Sequence, residues 1–69
     1  MNLEAWLTKE GHTLEWLAEN IGMSIGSASR MVRGLQNIPL SKVSQIEALT
    51  NGKVTPAEML ATYREAQEA

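Results

Sequence analysis

The chain has no cysteine and no phenylalanine, and all 8 of its acidic residues are glutamate. Without cysteine, neither a disulfide nor a thiolate metal site can supplement a small core. Without phenylalanine, the large aromatic side chains are Trp6, Trp16 and Tyr63. No apolar run approaches the length of a membrane span. No charged-then-apolar leader stands at the start, so a cytoplasmic protein is expected. There is no internal repeat, no low-complexity tract and no Gly-rich phosphate loop. The glutamates are scattered and no nucleophile has an identifiable base beside it, so enzymatic chemistry finds no support. His12 is the single histidine. With no second His, Asp or Cys nearby it reads as a loop residue and not a metal ligand. No cofactor is expected.

What is present fits one small domain. A chain of 69 residues lies near the lower limit for independent folding, and 43% hydrophobic content suits a globular chain. Its stability must come from helix packing, helped by a partner subunit if one exists. The formal charge of −2 argues mildly against a polyanionic partner. Its distribution softens that objection. Residues 12–42 carry Arg30, Arg33 and Lys42 against Glu15 and Glu19, whereas the acid excess lies toward both ends. A local patch, more than net charge, decides where phosphate docks.

The spacing predicts an all-α chain of five short helices. Asn2 caps the first, which turns Leu3, Trp6 and Leu7 inward and ends at Gly11. Thr13 caps the second, with Glu15 in its first turn and a buried stripe of Leu14, Leu17, Ala18 and Ile21. Gly22 supplies a left-handed residue at its end. Ser24 caps the third, whose inward residues are Ala28, Met31 and Val32, and Gly34 stops it. "LQNIPL" reads as a connector, with Pro39 holding Ile38 extended. Ser41 is expected to cap the fourth helix, with Val43, Ile46 and Leu49 inward, ending near Asn51-Gly52. The fifth begins at "TPAE", where Thr55 caps, Pro56 takes the first helical position and Glu58 closes a capping box. Met59, Leu60 and Tyr63 form its apolar side.

Two short helices joined by a brief turn containing Gly make a helix-turn-helix pattern. Ala18 must be small where the third helix crosses the second, Gly22 turns the chain sharply, and Met23 drops an apolar plug beneath the turn. Ala28 and Met31 then fasten the third helix, leaving its N-terminal half to project, as a helix does on entering a major groove about 12 Å wide.

The stretch "LAENIGMSIGSASRMVRG", Leu17 to Gly34, resembles the helix-turn-helix of the phage Cro and repressor family, and "IEALTNGKVTPAEML" resembles its continuation in small Cro-type regulators. The resemblance runs from Leu3 to Leu60. It implies a lambda-repressor-like domain, a double-stranded DNA operator as partner, a homodimer, and repression by promoter occlusion. Two departures matter. Ala28 stands where the family often has Val or Ile, and Ile25-Gly26 where it commonly presents Gln or Ser. Neither Ile25 nor Gly26 can make the bidentate amide contact to adenine that Gln provides.

On this reading Ile25 touches a thymine methyl and Gly26 lets the backbone approach closely. Ser29 and Arg30 are the polar readers, with Arg30 bidentate to guanine as the sharpest contact. Arg33, Lys42, Ser27 and the capping hydroxyls of Thr13 and Ser24 are assigned to the DNA backbone. Met59, Leu60 and Tyr63 either close the core or form the two-fold interface, the second being favoured. Trp16 either covers the first helix or lines a subunit contact. No membrane and no small-molecule ligand is expected, since the length leaves no room for an effector domain. The rival is a protein-interaction module on the same fold (an antitoxin, anti-repressor or adaptor) whose exposed Ile25 face binds protein.

Overall fold

The computed structural model describes residues 1–68. It is all-helical, in the order α1 (Leu3–Glu10), α2 (Leu14–Ile21), α3 (Ile25–Val32), α4 (Leu40–Leu49) and α5 (Pro56–Glu68). Local chemistry sets most of the boundaries. The side chains of Asn2, Thr13 and Ser24 each accept the backbone N–H three residues on, at 2.7, 3.1 and 3.2 Å. The capping box of α5 closes in both directions. Thr55 N–H donates to Glu58 Oε1 at 3.1 Å, and Glu58 N–H donates to Thr55 Oγ1 at 3.2 Å. This satisfies two amides that the helix start would otherwise leave unpaired.

The start of α4 differs from the expectation. Pro39, not Ser41, occupies the capping position, and no side chain caps this helix. The ring holds φ at −58° with ψ at 146°, so the chain enters the helix two residues early. The Pro39 carbonyl then accepts from Lys42 and Val43 N–H at 2.9 and 3.0 Å. Ser41 lies exposed in the first turn.

One core cluster joins Leu3, Trp6 and Leu7 of α1 with Leu17, Ala18 and Ile21 of α2 and Ala28, Met31 and Val32 of α3. Ile46, Val54 and Met59 complete it from the other side, with Ile38 of the connector. Val54 and Thr50 escape periodicity, because both lie in the turn-like stretch between α4 and α5. Thr50 is buried without penalty because its hydroxyl donates to the Glu47 carbonyl and accepts from Val54 N–H. Leu14, Val43 and Leu49, expected fully inward, are only half-buried.

The fifth helix packs by a face that apolarity alone hides. Met59 is buried, Thr62, Tyr63 and Ala66 are half-buried, and Leu60 is exposed. The terminal ammonium of Met1 pairs with Glu58 and donates to the Lys53 carbonyl at 2.9 Å. The hydrogen bond from that ammonium, with the Thr55 amide next, holds the Glu58 carboxyl below its ordinary value. Among the described residues no helix is long and apolar enough to cross a membrane.

Candidate nucleic-acid interface

The site is built on α2 and α3, which pack directly on each other. Ala18 and Ala28 are both buried, small enough for the two backbones to come close. Three residues, Gly22, Met23 and Ser24, turn the chain between them. Gly22 sits at φ +68°, which lets Met23 N–H fold back to the Ala18 carbonyl at 3.0 Å. Met23 is half-buried against the core.

At the far end of α3, Arg33 stays right-handed and Gly34 takes the left-handed conformation. Leu35 N–H reaches the Arg30 carbonyl at 2.9 Å and Gly34 N–H reaches Met31 at 3.1 Å. This pair of bonds closes the helix and returns the chain toward Arg30.

Ile25, Gly26 and Arg30 are exposed on α3, and Arg33 is exposed at the capping position just after it. Thr13 and Ser24 are exposed at the starts of α2 and α3. Their hydroxyl oxygens accept the capping bonds, so each O–H remains free to donate outward. Ser27 and Ser29 are half-buried on the flanks of α3. Ser29 does not stand beside Arg30 as a second forward reader. It lines a cleft of about 260 Å³ with Glu4, Thr8, His12, Leu14 and Arg33, facing α1.

Two other expected contacts are placed differently. Lys42 is half-buried, and its ammonium donates to the Ile21 carbonyl at the end of α2. A cation there satisfies a terminal carbonyl and complements the helix dipole, so Lys42 is committed to the hinge and not held out for phosphate. Met59, expected at a two-fold contact, is 4% exposed and belongs to the protomer's own core. Packing turns its side chain inward, so it offers a partner no more than part of a groove floor. Leu60 is 42% exposed and Leu40 82%, and both edge an apolar groove of about 330 Å³ between α4 and α5, over Val43 and Met59.

Two arrangements were not legible in the sequence. His12 stacks on Trp16, with ring centroids 3.6 Å apart and planes 7° from parallel, and also faces Trp6 at 5.5 Å. Trp16 therefore covers the α1–α2 turn and rests against the core, resolving its two readings toward packing. The second arrangement is Gln36, whose side-chain Oε1 accepts from Arg30 Nε at 3.0 Å. It lies beyond the Gly34 turn, where helical periodicity no longer reports which residues meet.

No family model, curated protein or solved structure matches this chain. The family resemblance therefore rests on the hinge residues, the caps and the order of the helices.

Proposed function

We propose that this chain is a sequence-specific regulator of transcription that binds double-stranded DNA as a homodimer in the cytoplasm, with α2 and α3 acting as a helix-turn-helix. One observation carries the reading. The exposed side of α3 presents Ile25, Gly26, Arg30 and Arg33, while the helix is fastened to α2 through buried Ala28, Met31 and Val32. A projecting helix with forward cations and little bulk near its start suits a major groove. Arg30 reads a base, Ile25 meets a thymine methyl, and Arg33 with the Thr13 and Ser24 hydroxyls holds phosphate. Occlusion of a promoter is the regulatory outcome that the family resemblance implies.

A two-fold protein requires an inverted repeat, with half-site centres about 10 base pairs apart. The dimer contact is assigned to Leu60 and Tyr63 of α5, extended by Leu40 at the edge of the α4–α5 groove. With Lys42 engaged in the hinge, each protomer brings few free cations, so the salt slope should correspond to only about four to six neutralised phosphates per dimer.

The exposed Leu35, Leu40 and Leu60 favour the protein-interaction reading. Titrating labelled random duplex against salt separates the two. Micromolar binding that weakens with salt at about that slope supports DNA; binding that is absent at low salt removes it. Selection from a random duplex pool then gives the operator.

A further inference from the structure

Arg30 is not a free side chain. Its Nε donates to Gln36 Oε1 at 3.0 Å and its Nη2 donates to Ser27 Oγ at 3.1 Å. Ser27 lies one turn earlier on α3, and Gln36 comes from the connector that the Gly34 turn folds back. A guanidinium carries N–H donors on every nitrogen, in one rigid plane. Two partners on different nitrogens fix both the position of that plane and its rotation. A β-carbon on Gly26 would lie 3.5 Å from Nη1, an ordinary contact distance, so the guanidinium end lies over the first turn of α3.

We propose that Ser27 and Gln36 are positioning residues that clamp Arg30 before DNA arrives, so that the unpaired Nη1 and remaining Nη2 hydrogens form a fixed fork for the O6/N7 edge of guanine. This rests on the DNA reading of α3 and deepens it by assigning the residues that hold Arg30 in place for guanine. The clamp engages Nε and one Nη2 hydrogen and leaves the Nη1 hydrogens without a protein partner. Two parallel N–H donors match two in-plane acceptors, which among base edges in the major groove is the guanine pattern. A preset fork also avoids the entropy of ordering a long cationic side chain on binding.

The test has two independent readouts. In the free protein, the Arg30 Nε–H signal in nitrogen-edited NMR should be ordered and slow to exchange, while those of Arg33 and Arg64 exchange fast. Gln36→Ala should bring Arg30 to the level of Arg33, and Gln36→Glu, which keeps an acceptor, should restore the order. On duplexes selected by the wild type, Gln36→Ala should lower discrimination for guanine over other bases at one position per half-site by about fivefold, leaving the salt slope unchanged. Substituting 7-deazaguanine there should cost the wild type more than Gln36→Ala. An Arg30 Nε–H as mobile as that of Arg33 overturns the clamp. An ordered Nε–H with no guanine preference overturns the reading role and leaves the clamp as structure. Failure of the wild type to bind any duplex overturns the DNA reading alone, and the NMR result still decides the clamp.

Discussion

Gly34 lies directly beneath the Thr62 carbonyl of α5, so close that a β-carbon would stand 2.6 Å from that oxygen and 2.8 Å from the Ala66 β-carbon. The glycine that ends α3 is thus also the seat on which α5 rests. It is buried and held at φ +79°. Substitution meets two costs at one position, a left-handed backbone and an immovable neighbour.

Gly34→Ala should therefore destabilise the domain by about 2–4 kcal/mol, with α5 displaced. Gly11→Ala provides the reference, because Gly11 shares the positive φ, at +73°, but has nothing within 4 Å of a new β-carbon. That variant should lose only about 1–2 kcal/mol, the strain of the backbone. Urea denaturation of both measures the difference, and equal losses would mean that α5 is not seated on Gly34.

Lys42→Met should lower stability by about 1–2 kcal/mol by leaving the Ile21 carbonyl without its charged donor. The apolar stem is kept, so packing changes little. Because the ammonium is engaged in the hinge, the slope of duplex affinity against salt should stay at the wild-type value. A slope reduced by about one unit per protomer would return Lys42 to the phosphate contacts.

Glu58 sets an acid limb to stability. Its folded-state carboxyl is lowered from the ordinary 4.5, first by the terminal ammonium and then by the Thr55 amide. A lowered folded value means stabilisation that is fully present above the unfolded value and is lost as pH falls through the folded one. The melting temperature of the wild type should exceed that of Glu58→Gln near neutral pH, and the gap should close below about pH 4. A gap that persists in acid would assign the difference to shape and not to charge.

Leu40→Glu with Leu60→Glu should give a folded monomer. Both side chains are exposed, so the core is untouched, while the α4–α5 groove gains repelling charge at each edge. Operator affinity should fall by about 100-fold or more, since the second half-site no longer benefits from linkage. Sedimentation reads the mass, and an unchanged dimer would move the contact away from this groove.

The sequence by itself determined the helices and most of their boundaries. Asn2, Thr13, Ser24 and the Thr55–Glu58 box act on amides within their own first turns, and Gly11, Gly22 and Gly34 act on the last turns, so local spacing is enough to read them. It also determined the faces of α1, α2 and α3, where large apolar residues recur at helical period. The face of α5 escaped because Thr62 and Ala66 are small and only weakly apolar. They are inward through the close approach of Gly34, which lies in the turn beyond the end of another helix. Only the tertiary structure decided which cations stay free. Arg30, Arg33 and Lys42 look alike as charges in a sequence. One is clamped by a residue from beyond a turn, one is open, and one caps a helix whose last residue stands 21 positions away. A charged group's availability depends on which donors and acceptors surround it in space, and that surrounding is fixed by packing between helices, not by order along the chain.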